Sequence, residues 1–235
     1  MDTMLDSHIV KKRPEFVVDV RIRLERGERL AIFGASGAGK STVLSCIAGL
    51  AVPDAGAIRF GHFQLFPPPL PLHRRPVAYM TQKDLLFPHL SVSENVRFGL
   101  RDMGADGNAA WIEELRERLS LGAVWTSPAA KISGGQARRV AMARMLARRP
   151  PLVLLDEPFA SLDRPLIGEL TQALTEWQRK LGFTLIAVDH RSHILRAICP
   201  RVIVMERGRV VQEGAWTDIS SSPATPLVEQ LLSPH

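Results

Sequence analysis

Five residues, RLAIF (Arg29–Phe33), run without a break into GASGAGKST, residues 34–42. A short apolar strand, a glycine-rich turn, and then a lysine and two hydroxyls opening a helix leave few alternatives for the fold. Gly34, Gly39, Lys40 and Ser41 satisfy the pattern G-x-x-x-x-G-K-[ST]. Its glycines let successive backbone N–H groups turn toward the β- and γ-phosphates of a nucleotide, and the lysine adds a point charge there. Ala35, Ser36, Gly37 and Ala38 complete the loop, and Thr42 follows Ser41 in the first turn of the helix. That turn offers the positive end of the helix to an anion, and the Ser41 hydroxyl is a ligand for Mg²⁺. The helix KSTVLSCIAGL is predicted to end at Gly49, with PDAG as the turn beyond it.

The same alternation of strand and helix continues along the chain. FVVDVRIRLE places Phe16, Val18, Val20, Ile22 and Leu24 on one side, the mark of a half-buried strand. VAYM (Val77–Met80) reads as another strand. LVLLD (Leu152–Asp156) and FTLIAVDH (Phe183–His190) are apolar without alternation, as strands buried on both faces are. Helices are predicted from Ser91, where Ser91 and Glu94 have capping-box spacing, over AAWIEELRERL, and over QARRVAMARMLARR up to Pro150 and Pro151. Trp111, Leu115 and Leu119 share a helix face and are predicted core. RVIVMERGRVVQEG reads as a closing pair of strands, and the tail from Ser220 as a weak helix. FGHFQLFPPPLPLHRRP, residues 60–76, is expected to be a surface loop without regular structure, because of its prolines. Strands buried on both faces and separated by helices indicate an α/β class with a mostly parallel sheet.

Two carboxylates stand at the end of LVLLD. Ligands of open α/β sheets bind outside the carboxyl ends of the strands, so Asp156 there is placed to hold Mg²⁺ through water, and Glu157 to act as general base for an attacking water. His190 ends the strand TLIAV in the same way and can deliver an imidazole to the γ-phosphate. Gln82 follows VAYM and is placed to touch Mg²⁺ or water. A second phosphate-type segment then stands out: KISGGQARRV, residues 131–140, sets Ser133, Gly134 and Gly135 directly before a helix.

These motifs, in this order, resemble the nucleotide-binding subunit of ABC transporters, specifically the molybdate, thiamine and ferric-iron importer group, and the resemblance covers nearly the whole chain. GASGAGKST is similar to Walker A, MTQKDLLFPHLSVSENV to the Q-loop region and ISGGQARRVAMARML to the family signature. LVLLDEP is similar to Walker B, SLD (Ser161–Asp163) to the D-loop and VDH to the switch histidine. The resemblance implies a P-loop NTPase ABC cassette: a RecA-like, mostly parallel core sheet, an N-terminal antiparallel β-subdomain and an inserted α-helical subdomain, residues 83–149. It implies one domain over residues 1–235, ending in a short tail at 220–235 without the regulatory β-domain of many relatives.

It also implies ATP and Mg²⁺ as cofactors, with Ser41, Gln82 and Asp156 at the metal and Lys40, Glu157 and His190 catalytic. Two chains would pack head to tail on ATP binding, Ser133, Gly134, Gly135 and Gln136 of one closing on the γ-phosphate held by Gly34–Thr42 of the other. The partners implied are a transmembrane permease and, through it, a periplasmic or extracellular solute-binding protein, at the cytoplasmic face of the membrane. Molybdate is the expected cargo, with thiamine or ferric iron as alternatives.

Three positions depart from the family pattern. Ile132 replaces a leucine, a volume-conserving change. Asp189 precedes His190 where Thr or Ser is common, and a carboxylate there favours the imidazolium if it faces the ring. The aromatic that stacks on adenine is missing from VKKRPEF, which leaves Arg13 or Phe16 for that part.

Composition agrees with this reading. The net charge of +6 is spread over scattered arginines without a polybasic block, so a solvated basic face is expected and nucleic acid is disfavoured as a partner. A soluble ABC protein acting on nucleic acid is the lesser reading. Cys46 and Cys199 have neither metal-ligand spacing nor the density of a disulfide framework, which fits a reducing cytosol. The first thirty residues contain no apolar leader segment, and no apolar run is long enough to cross a bilayer.

Overall fold

The computed structural model describes residues 3–83, 85–100, 109–160 and 162–232. Among them, ten strands form one sheet in the order β5-β4-β1-β2-β10-β9-β3-β8-β7-β6. The strands are β1 (Thr3–Lys12), β2 (Val17–Glu25), β3 (Arg29–Phe33), β4 (Ala55–Phe60), β5 (Phe63–Phe66), β6 (Val77–Met80), β7 (Leu152–Asp156), β8 (Thr184–Val188), β9 (Arg201–Glu206) and β10 (Arg209–Ala215).

One half is parallel, with β9, β3, β8, β7 and β6 side by side. The other half is antiparallel, β1 lying between β2 and β4, with β5 on the outer edge. A mostly parallel core with an antiparallel β-subdomain is therefore what the chain builds. The parallel strands β7 and β8 are buried along their whole length, which is why they lack alternation. In β2 every second residue is buried, as FVVDVRIRLE predicts.

The helices are α1 (Lys40–Ala48), α2 (Val92–Arg97), α3 (Ala109–Arg118), α4 (Gly134–Ala147), α5 (Arg164–Leu181), α6 (Ser192–Ile198), α7 (Trp216–Ser221) and α8 (Pro226–Leu232). Helices α2 to α4 lie between β6 and β7 in sequence, forming the inserted helical part. Their apolar faces join the core that α5 also covers: Trp111, Leu115 and Leu119 are buried. The Trp111 indole donates to Leu146 O at 3.0 Å and meets Trp177 of α5 edge-on at 5.7 Å. The predicted capping box at Ser91 and Glu94 is present. Residues 84 and 101–108 of the helical part, Ser161 of the D-loop and residues 233–235 of the tail lie outside the described residues.

Three expectations change. The proline-rich segment is not loop throughout, since Phe63–Phe66 pairs antiparallel with β4, and Leu65 is fully buried. Prolines begin only at Pro67, beyond that strand, and β5 is an edge strand whose outer side needs no donors. The Arg75 guanidinium then ties the rest of the segment down, donating to Leu65 O, Leu70 O and Ile47 O at 2.8 to 2.9 Å.

Second, β1 has no counterpart in the sequence reading. Its inner positions include Ser7, which hides the alternation but is satisfied by donating its hydroxyl to Ile22 O at 3.2 Å. Third, the tail contains two short helices, the first starting at Trp216, whose indole donates to Cys199 O at 2.8 Å. No helix among the described residues is long and apolar enough to cross a membrane.

Candidate functional site

Four neighbouring strands of the parallel half deliver the candidate residues to one end of the sheet. β3 leads into Gly34–Thr42, β8 into Asp189 and His190, β7 into Asp156 and Glu157, and β6 into Gln82. Their register is fixed: Ile32 pairs with Val188, and Val188 with Asp156.

The loop after β3 requires glycine where the backbone is crowded. Gly34 has φ 146°, and a Cβ there would stand 2.2 Å from Met205 O. Gly39 has φ 101° and opens α1 from the left-handed region. Lys40 Nζ donates to Gly34 O and Ala35 O, both at 2.8 Å, so the ammonium lies inside the loop. Partial burial lowers its pKa, while the charges of Glu157 and Asp156 act to raise it. The P-loop lysine and the two acids of β7 thus share one electrostatic environment.

Asp156 is 2% exposed. Its Oδ2 accepts a hydrogen bond from the Tyr79 hydroxyl at 3.1 Å, and its Oδ1 is buried with no hydrogen-bond partner among the described residues. A buried carboxylate oxygen without a donor is costly unless a cation or water satisfies it. The candidate ligands delivered to this end of the sheet, the Asp156 carboxylate, the Ser41 hydroxyl and the Gln82 amide oxygen, are hard oxygen donors that suit Mg²⁺ and not a soft metal. The site therefore fits the metal that the sequence implied.

Glu157 has φ 51°, an uncommon conformation for a residue with a side chain, which costs on the order of 1–3 kcal/mol. Its N–H donates to Val188 O at 2.8 Å and its carbonyl accepts from Arg138. This strained turn leaves the sheet direction, and Gln82 Nε2 lies 3.4 Å from Glu157 Oε1.

Arg138 is the residue that sequence reading missed. On α4 and 2% exposed, it donates to the carbonyls of Thr81, Gln82, Asp156, Glu157 and Pro158. It joins the signature helix to the backbone of both the Q-loop and the acidic pair. The expectation of a solvated basic face is corrected to this extent: Arg138, Arg75 and Arg139 turn inward onto carbonyls. A guanidinium has five donors in a fixed fork, which can satisfy several loop carbonyls at once. Among scattered arginines nothing in the sequence marks this one. Tyr79 was also missed, and its signal was available: it is the chain's single tyrosine, three residues before Gln82.

His190 stands at the expected strand end with a side chain 63% exposed. Asp189 is fully buried but faces Arg191, which takes both its carboxylate oxygens at 3.0 Å. The imidazole Nδ1 is 3.6 Å from Asp189 Oδ1, within ion-pair reach of the carboxylate as expected but too long for a hydrogen bond, and the hydrogen bonds of Asp189 go to Arg191.

Phe16, not Arg13, reaches the phosphate loop. A cavity of about 320 Å³ is walled by Phe16, Ala35–Ala38, Arg207 and Leu227, among others. Ile132 is partly buried against the core, as a leucine would be.

Ser133 caps α4, accepting from Gln136 N at 3.3 Å, while Gln136 Oε1 accepts from Ser133 N at 2.8 Å. Ser133 and Gly134 are exposed. No hydrogen bond among the described residues joins Ser133–Gln136 to the phosphate loop of the same chain.

Cys46 and Cys199 are free and buried, and burial raises both thiols, that of Cys46 to about 11. Neither is set up as a nucleophile.

Fold and site together define a P-loop nucleotide-binding protein of the α/β class. Comparison with known proteins narrows this. The family model for ABC transporters matches residues 17–160. A molybdate/tungstate import ATP-binding protein of Thermococcus kodakarensis is 39% identical over 216 residues, which make up 91% of this chain but 65% of that protein. A thiamine import ATP-binding protein of Salmonella choleraesuis is 38% identical over 208 residues, 87% of each chain. A solved ATP binding subunit of an ABC transporter superposes with a TM-score of 0.84 at 26% identity, over 98% of this chain and 100% of that one. The chain belongs to the ABC transporter family and carries its ATP-binding cassette.

Proposed function

We propose that the chain is the ATP-hydrolysing subunit of an ABC importer, driving a separate membrane permease from the cytoplasmic face of the membrane. The observation that carries this is the convergence of Lys40, Asp156, Glu157, Gln82 and His190 on four adjacent strand ends. The loop N–H groups and Lys40 hold the phosphates, and Glu157 takes the proton of the attacking water while Gln82 and His190 report on the γ-phosphate. Mg²⁺, held by Ser41 and Asp156 with Gln82 beside it, would neutralise charge on the phosphates.

The exposed cap at Ser133–Gln136 completes the site of a second copy. Among the described residues, the hydrogen bonds of the Ser133 and Gln136 side chains lie within their own helix cap, which supports a head-to-tail homodimer closed by ATP. The permease is assigned to the groove of about 490 Å³ between edge strand β6 and α4, floored by Leu85, Phe87, Phe98 and Met145 and flanked by Lys83 and Arg148. Cargo would reach the permease from a periplasmic or extracellular solute-binding protein. The cargo proposed is a molybdate-type oxyanion, with thiamine or ferric iron as alternatives. The arginines are scattered without a polybasic block, which disfavours the nucleic-acid reading.

The test is to purify the full chain with its membrane partner in mild detergent and to measure ATP hydrolysis with candidate solutes and their binding proteins. A co-purifying permease and stimulation by molybdate-loaded binding protein are expected. Recovery of no membrane protein, together with stimulation by RNA or DNA, overturns the proposal.

Phe16 is assigned the face on which adenine stacks. Base–aromatic stacking contributes roughly 1–3 kcal/mol, so Phe16→Ala should weaken ATP binding about 5- to 150-fold. Binding of ATP should weaken more than binding of inorganic triphosphate. An equal loss for both ligands would show that Phe16 supports the loop and not the base.

A further inference from the structure

Beside the carboxylate of Asp156 stands one hydroxyl, that of Tyr79. Tyr79, on β6, is half-buried against the side of the sheet covered by α1. Its hydroxyl has one proton, which it donates to Asp156 Oδ2 at 3.1 Å. The two oxygens of Asp156 are unlike: Oδ2 is held by the Tyr79 hydroxyl, and Oδ1 is buried with no hydrogen-bond partner among the described residues.

We propose that Tyr79 is the positioning residue for the metal-binding carboxylate, holding Asp156 in the rotamer that presents Oδ1 to the cation bound by Ser41. This rests on Asp156 being a metal-site residue, as argued above. Without the hydroxyl, Oδ2 becomes a buried acceptor without a donor and the carboxylate loses the bond that sets its rotation. Outer partners that orient metal ligands typically contribute 10- to 100-fold in metal affinity.

The test compares the full-length chain with its Tyr79→Phe and Asp156→Asn variants, which change neither ring packing nor side-chain size appreciably. Each is titrated with a fluorescent, non-hydrolysable ATP analogue, once with Mg²⁺ and once with EDTA. The ratio of the two affinities is the contribution of the metal.

Tyr79→Phe is expected to lower that ratio at least tenfold while its affinity in EDTA stays within twofold of the parent. If Asp156→Asn abolishes the ratio and Tyr79→Phe leaves it unchanged, the role given to Tyr79 is wrong and that of Asp156 stands. If Asp156→Asn leaves the ratio intact, the metal-site reading itself fails. Equal weakening of Tyr79→Phe in Mg²⁺ and EDTA would assign the hydroxyl to the fold and overturn the proposal.

Discussion

Glu157→Gln is expected to hydrolyse ATP on the order of 10²–10⁴-fold more slowly than the parent chain while still binding it. That corresponds to roughly 3–5 kcal/mol of barrier. The substitution isolates one property. Glutamine has the same shape, can keep the backbone turn at φ 51° and can still accept from Gln82 Nε2, but has no basic oxygen for the proton of water. The strained turn is held through its backbone, the Glu157 N–H on Val188 O and the Glu157 carbonyl on Arg138, so the geometry should survive. Steady-state hydrolysis and equilibrium ATP binding measured on the same sample check this. Turnover within about threefold of the parent would remove Glu157 as the base.

The second large effect concerns the second phosphate segment. Ser133→Arg alone and Lys40→Ala alone are each expected to abolish hydrolysis, for opposite halves of a shared site. The first puts a long cation where a helix N-terminus should meet a phosphate, and the second removes the charge held between Gly34 O and Ala35 O. Ser133→Arg also removes a helix cap, typically a loss of about 1 kcal/mol, so loss of activity alone would not separate site from stability.

Mixing does separate them. A dimer of one chain of each kind has one wholly intact composite site and one doubly damaged site. Random pairing makes about half of the dimers mixed, so the mixture should recover about a quarter of parental hydrolysis. No recovery, with both variants folded and able to exchange subunits, would argue against the shared site. Full activity of Ser133→Arg by itself would mean that each ATP is held by one chain alone.

Much of the architecture was legible because the relevant signals are local. A glycine pattern between strand and helix, acids at the end of a buried strand and a serine–glutamate capping box each depend on neighbours within a few residues. The β1 strand was not legible, because Ser7 sits inward and its partner, Ile22 O, is fifteen residues away. The strand in the proline-rich segment was masked by the prolines after it, although Leu65 already pointed inward. Asp189 shows the limit from the other side. Its adjacency to His190 suggested a pair, and the ring does lie 3.6 Å away, yet the rigid fork of Arg191 takes the hydrogen bonds of both carboxylate oxygens.

By itself the sequence determined the phosphate loop, the acidic pair, the alternation that makes a parallel core and the family to which the chain belongs. All of these rest on periodicity or fixed spacing, which survive without coordinates. The tertiary structure alone decided which long-range partners each polar atom found: Arg138 on five carbonyls, Tyr79 on Asp156 Oδ2, and Asp156 Oδ1 left without a donor. Such partnerships join residues about twenty to eighty positions apart, and a hydrogen bond needs atoms within about 3 Å in a defined direction, which no spacing along a chain specifies.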